Sequence, residues 1–321
     1  MRAAINQIYS GGGTNISDGY SRGFQEVETW KSEESVNRVV LLSDGQATVG
    51  ETRPEALKSM ARSNLQRGVS LTTMGVGLDY NEDLMAGMAD EGSGNYYFID
   101  KAETVVSIFK SEFDGLAKTV AKNTSLVISL AEGVELENLF GFSHKRTSRQ
   151  VMVSLAEFQS GENKNILLKL RARAEATGHH PIMDVDLSYQ DVTDDAPKNQ
   201  HVELVSVSTD DIKKTESEVN VDVISRVQQV EVAESLKDAM AAYERGEKEQ
   251  AQQELKRQQR SLRKARKKYK IKGEPYDKAE AELAQTANDV DKNDSSSSTG
   301  KRMIKSKKAR GRMILLDSSS F

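Results

Sequence analysis

Arg38-Val-Val-Leu-Leu-Ser-Asp-Gly45 is the stretch that decides the fold. Val39 to Leu42 is an uninterrupted apolar run that stops abruptly at Ser43, Asp44 and Gly45. A run without polar alternation predicts a strand buried on both faces, the central strand of a parallel sheet covered by helices. Open parallel sheets take ligands at the carboxyl ends of their strands, and Asp44 falls at such an end. Upstream, Gly11-Gly-Gly-Thr-Asn-Ile16 reads as a glycine-rich turn opening a helix, with the Thr14 hydroxyl placed to face Asp44.

Working outward, residues 2–9 read as the end of an amphipathic helix closed by the glycines at 11–13. Ser17 or Asp18 is expected to cap the next helix, whose apolar positions are Tyr20, Phe24 and Val27. Pro54 opens another, lined by Leu57, Met60, Ala61 and Leu65 and ended by Gly68. A strand over 69–76, a short helix over 81–90 and a strand over 95–99 follow. A helix over 102–119, carried by Val105, Phe109, Phe113 and Leu116, completes the region. Strand–helix alternation with short loops predicts parallel, right-handed βαβ units.

Gly12-Gly-Thr-Asn-Ile16, Asn37-Arg-Val-Val-Leu-Leu-Ser-Asp-Gly45 and Leu71-Thr-Thr-Met-Gly-Val-Gly77 together resemble the second half of a von Willebrand factor A domain. Tyr80-Asn-Glu-Asp-Leu84 and Gly94-Asn-Tyr-Tyr-Phe-Ile-Asp100 extend the likeness, which covers roughly residues 1–119. The subgroup it is similar to is bacterial and related to inter-alpha-trypsin inhibitor heavy chains and chloride channel regulators. That resemblance implies a magnesium ion held by an Asp-x-Ser-x-Ser turn, a threonine and a later aspartate. Thr14 matches the threonine and Asp44 the aspartate. The Asp-x-Ser-x-Ser turn is absent, because Ser17-Asp18 and Ser43-Asp44 have the wrong order and follow the wrong elements. Only about ten residues precede the Gly-Gly-Thr turn, so the sequence reads as beginning in mid-domain, N-terminally truncated against the family pattern.

Magnesium demands near-octahedral oxygen coordination, and its affinity rises with ligand number and charge. Thr14 and Asp44 supply two ligands and one charge, so magnesium is expected to bind this chain weakly or not at all. The competing reading gives both residues capping duties, Thr14 at its helix and Asp44 in the loop after its strand.

Near residue 120 the period changes to two. Leu126–Leu130, Gln150–Leu155, Asn165–Arg171, Asp184–Tyr189 and His201–Val207 alternate without intervening helices, which predicts an antiparallel β-sandwich. From about Val219 the period becomes helical. Val223, Val227, Val230, Ala233, Leu236, Met240 and Tyr243 form one stripe, and Ala251, Leu255, Leu262, Ala265 and Tyr269 a second with Gln258 in its seam. Tyr276, Ala279, Leu283 and Val290 mark a third, giving a C-terminal helical hairpin or bundle. The predicted fold class is therefore α/β, a partial doubly wound parallel sheet followed by the sandwich and the helices. The domains are 1–119, 120–212 and 216–291, with a flexible linker over 292–300 and a mostly disordered basic tail over 301–321.

The totals exclude several classes. The 321 residues carry a net charge of −4 with 29% charged residues, which fits neither a nucleic-acid-coating nor a strongly acidic protein. Cysteine is absent, so disulfides and thiolate metal sites are excluded. No apolar run approaches the ~20 residues that span a bilayer. Residues 256–272 hold ten cations and no acid, but apolar residues interrupt them at helical spacing, as on a solvated helix face with acidic neighbours. His179-His180 reads as a surface loop without a third ligand. Gly75-Val-Gly77 and Gly92-Ser-Gly94 open no helix, and no acid–base or nucleophile constellation is visible, so the chain reads as a non-enzyme.

Two function classes remain. The first is a protein–protein interaction module, an adhesion or scaffold element presenting an incomplete metal-ion-dependent adhesion site of Thr14 and Asp44 to a partner's carboxylate. A second chain supplying the missing N-terminal strands is a further expected partner, and nucleic acid is not. The alternative is an adaptor acting through the C-terminal helices with the A-domain remnant inert. The resemblance implies a periplasmic, cell-surface or secreted location if a leader stands upstream.

Overall fold

The computed structural model describes every residue except 1–6, 8–10, 33–34, 174–175, 195, 272 and 317–321, and omits the side chains of 156, 216–217 and 274–275. The helix expected over 2–9 lies outside the described residues apart from Gln7. The chain divides into two compact units, 1–106 and 107–321, each described by itself.

In the first unit, α1 (Ile16–Trp30), β1 (Arg38–Ser43), α2 (Pro54–Gln66), β2 (Ser70–Val76), α3 (Glu82–Glu91) and β3 (Ser93–Ile99) alternate. The three strands form a parallel sheet in the order β1-β2-β3. The central position belongs to β2, buried along nearly its whole length, and not to β1. Among the described residues β1 is an edge, with Leu42 42% exposed. The apolar run of β1 predicts a central strand, whereas the centre is β2, which carries two threonines. Their polar atoms are satisfied locally, since Thr73 Oγ1 donates to the Met85 carbonyl at 2.8 Å and Thr72 Oγ1 accepts from Asn95 N at 3.3 Å.

Helix α1 buries Ile16, Tyr20 and Phe24, spaced four apart on one face. Gly23 brings it against β1, where a Cβ would stand 3.0 Å from Val39 Cγ1. Its cap is Asn15, whose Oδ1 accepts from Asp18 N, rather than Ser17 or Asp18. Pro54 sits in the first turn of α2, as expected. At the end of β2, Tyr80 and Tyr96 are both buried and share a hydroxyl–hydroxyl hydrogen bond of 2.7 Å. Burial and the neighbouring Tyr96 hydroxyl push the Tyr80 phenol well above its ordinary range.

The division between units falls inside α4 (Glu103–Leu116). Its expected apolar stripe is not uniformly buried: Phe113 is 62% exposed, with its ring stacked on Phe109. Beyond it run β4 (Thr119–Leu130), β5 (Val134–Phe140), β6 (His144–Arg146), β7 (Gln150–Gln159), β8 (Leu167–Ala172), β9 (Gly178–Asp191) and β10 (Pro197–Ser208). An antiparallel sheet takes the order β10-β9-β4-β7-β6, and β5 pairs with β8 in a separate ribbon. Ile128, Leu130, Val151 and Val153 of the sheet share one core with Leu136 and Leu139 of the ribbon. His179 and His180, expected in a loop, lie within β9. The His180 ring contacts the Ala176 carbonyl and Ser208 Oγ, which is a structural role.

A short α5 (Ile212–Ser217) leads to α6 (Val221–Glu244), α7 (Lys248–Tyr269), α8 (Glu274–Lys292) and α9 (Ser298–Leu316). Leu236, Met240, Tyr243, Leu255, Leu262, Leu283 and Ile304 form their core. The α6 stripe begins later than expected, since Val223 is exposed. Arg263 pairs with Glu280 at 2.5 Å and Arg266 with Asp277 at 2.6 Å, so α8 neutralises part of the cationic face of α7.

Ser298–Leu316, within the segment expected to be linker and disordered tail, is a helix with a capped start, and residues 317–321 of that tail lie outside the described residues. Asp294 Oδ1 accepts from Ser296 N at 2.8 Å, and Ser297 Oγ accepts from Gly300 N at 3.0 Å. The serines therefore make a capping turn, which composition alone could not separate from a linker. Helix α9 buries Ile304 and Ile314. Arg226 of α6 donates to the Ile314 and Leu315 carbonyls, a cation at the negative end of the helix.

Two substitutions test this packing. A Cβ at Gly75 would fall inside the buried Tyr80 ring, so Gly75→Ala is expected to cost about 1–3 kcal/mol in urea unfolding. Gln258 is 6% exposed and its Nε2 has no partner among the described residues. Gln258→Leu is expected to stabilise the helices by about 1 kcal/mol, read as slower hydrogen exchange in α7.

Candidate functional site

The carboxyl end of β1 and the turn before α1 are built as one unit. Thr14 N donates to Thr48 Oγ1 at 2.9 Å, and the Thr14 carbonyl accepts from Thr48 N at 2.9 Å and Val49 N at 3.2 Å. The loop after β1 is thus held to the Gly-Gly-Thr turn by three hydrogen bonds. Glycines make the approach possible. A Cβ on Gly45 would lie 2.9 Å from Thr14 Oγ1, and one on Gly13 would stand 2.7 Å from Thr48 Oγ1. Gly50 has φ +72°, a conformation that side chains resist, and lies against Asn15 and Ser17.

Thr14 is half-buried and Asp44 exposed, and the Thr14 hydroxyl borders the residue immediately after Asp44. Among the described residues neither the Thr14 hydroxyl nor the Asp44 carboxylate has a hydrogen-bond or ion-pair partner. The capping duties that would have used them belong elsewhere, with Asn15 capping α1. Nearby oxygens are engaged. Ser43 Oγ donates to the Gly45 carbonyl at 2.9 Å, and Ser17 Oγ donates to Asn15 Oδ1 and accepts from Glu51 N. Asp18 faces Arg22 at 3.5 Å.

This donor set does not fit a self-sufficient magnesium site. Both groups are hard oxygen donors, but they bring one charge and two ligands to an ion that prefers six.

Sequence reasoning missed Thr48, Glu51 and Arg53. Glu51 Oε1 accepts from Arg53 N at 2.9 Å and Nε at 3.0 Å, while Oε2 meets Arg53 Nη2 at 2.7 Å. The spacing of two residues, closed by Pro54, was the available signal. Arg53 holds the Glu51 carboxyl down from 4.5 to about 2. A depressed carboxyl contributes stability that is present above its unfolded value and lost as pH falls through the folded one. The Glu51 carboxyl resonance is therefore expected to titrate near pH 2, with its loop contribution fading between about 4.5 and 2. In Arg53→Ala it should move up toward its ordinary value while the residue-53 amide still holds it partly down, and an unchanged midpoint would show that the side-chain pairing does not form in solution.

Comparisons with known proteins bear on this region. Residues 1–111 match the family model described as von Willebrand factor type A domain. The Escherichia coli (strain K12) protein YfbK is 34% identical over 129 residues, 40% of this chain and 22% of that protein. Inter-alpha-trypsin inhibitor heavy chain H4 of Sus scrofa is 36% identical over 93 residues, 27% of this chain and 10% of its own. The chain thus spans a quarter or less of the length of these two relatives. A solved structure described as von Willebrand factor type A from Catenulispora acidiphila superposes with a TM-score of 0.68 at 14% identity, covering 91% of this chain and 66% of that one. At that identity the likeness shows the fold alone.

Proposed function

From the match of residues 1–111 to the von Willebrand factor type A domain, a domain class that generally mediates protein interactions, we propose that this chain is a non-enzymatic protein–protein interaction module. Its ligand is recognised at the carboxyl end of β1, around Thr14 and Asp44. Residues 1–119 act as the A domain, 120–212 as a β-sandwich spacer, and the helices from 216 onward as scaffold. The observation that carries the reading is a pair of unspent oxygen donors, the Thr14 hydroxyl beside Gly45 and the Asp44 carboxylate one residue before it, at a strand end where Ser43 and Ser17 are already engaged. An enzymatic role would need a base beside a nucleophile or a carboxylate pair, and this loop offers one free carboxylate. A partner's carboxylate could share a cation with Asp44 only when further ligands complete the shell, so the site is an incomplete adhesion site.

Magnesium itself is the first probe. Added at millimolar concentration to the isotopically labelled chain, it is expected to shift amide resonances of residues 12–17 and 44–50 without saturating. Asp44→Ala should abolish those shifts. Identical shifts in the variant, or shifts confined to the C-terminal helices, would favour the adaptor reading in which this region is inert.

A further inference from the structure

A second group of metal-ligating side chains lies on the outward face of the β9–β10 ladder, independent of the site around Asp44. In the antiparallel register His201 is opposite Asp186, and Glu203 is opposite Asp184. Residues two apart on a strand share a face, so all four project from the same side. Ligand atoms of Asp184, His201 and Glu203 lie within 4.8 Å of one another. His201 Nδ1 sits 2.7 Å from Asp186 Oδ1, and Nε2 lies 3.8 Å from Glu203 Oε1.

We infer that Asp184, His201 and Glu203 bind a divalent transition cation of the zinc class, with Asp186 as the residue that positions the imidazole. In the tautomer that donates Nδ1–H to Asp186, Nε2 carries a lone pair. Nε2 then lies within reach of the Glu203 and Asp184 carboxylates. Histidine ligands of metals commonly donate their second ring N–H to a carboxylate in this way. Zinc takes imidazole nitrogen together with carboxylate oxygen in four-coordinate sites, the remaining position going to water.

Charge points the same way. Glu203 stands directly across from Asp184, and like charges directly opposite on neighbouring strands destabilise the pairing. Among the described residues, no lysine or arginine forms an ion pair with Asp184, Asp186 or Glu203. Arg149 lines the same cavity as Asp184, of about 420 Å³, but its Nε donates to the Leu130 carbonyl. A bound cation would neutralise the cluster and turn cross-strand repulsion into ligation. The ladder also gives the ligands a paired backbone, which a loop would not.

Calorimetric titration of the full chain with zinc chloride tests the proposal. One saturable equivalent with micromolar affinity is expected, retained in about a hundredfold excess of magnesium because imidazole selects against the harder ion. His201→Ala, an exposed substitution checked for folding by circular dichroism, should weaken it at least about tenfold, and so should Glu203→Gln. Asp186→Asn should weaken it about tenfold while the His201 ring signals still shift with zinc, which separates positioning from ligation. Asp44→Ala should leave the isotherm unchanged, so failure here and failure of the β1 site are read separately. No saturable binding, or equal binding in wild type and both ligand variants, overturns the proposal.

Discussion

The Thr14 carbonyl, accepting from the Thr48 and Val49 amides, is the contact on which the first unit's chemistry depends. It closes the loop after β1 onto the turn before α1 and brings a hydroxyl beside the residue that follows Asp44. Two of the three ties are backbone to backbone, so the Thr14 hydroxyl and the Asp44 carboxylate are not consumed by them. Glycines at 13, 45 and 50 are what let two loops approach this closely. The local engagement of Ser17, Ser43 and Glu51 stiffens the surroundings without consuming Asp44.

A site of this construction is economical but unfinished in charge. One carboxylate and one hydroxyl fall short of the ligand number and charge that magnesium prefers. On the proposed reading, interaction through it draws its further ligands from a partner's surface. The β9–β10 cluster has the opposite character. It gathers three carboxylates and an imidazole hydrogen-bonded to Asp186 on the exposed face of a strand pair.

Much of this was legible in the residues. The order Gly12-Gly-Thr14, then Val39 to Asp44, then Leu71 to Gly77 specified parallel strand–helix units, and the period-two segments after 120 specified antiparallel strands. What escaped depended on tertiary context. The centrality of β2 was hidden because Thr72 and Thr73 look polar until their hydrogen bonds are seen. Ser295 to Ser298 resembled a linker, yet Ser296 and Ser297 bond to Asp294 and Ser297 caps a helix that buries Ile304 and Ile314. Thr14 and Asp44 were visible as candidates, whereas Thr48 gives no signal until the loop folds back. His201 was overlooked for a related reason. Its neighbours lie across a strand pair fifteen residues away, beyond any spacing motif.

Hydrogen exchange at the Thr48 and Val49 amides tests the central claim most directly. If their protons are held by the Thr14 carbonyl, both should exchange far more slowly than the amides of neighbouring exposed loop residues such as Gln46, and Gly13→Val should remove the protection. Exchange of both at the rate of an open loop in the wild-type chain would contradict the account, because the loop after β1 would then not be tied to the Thr14 carbonyl.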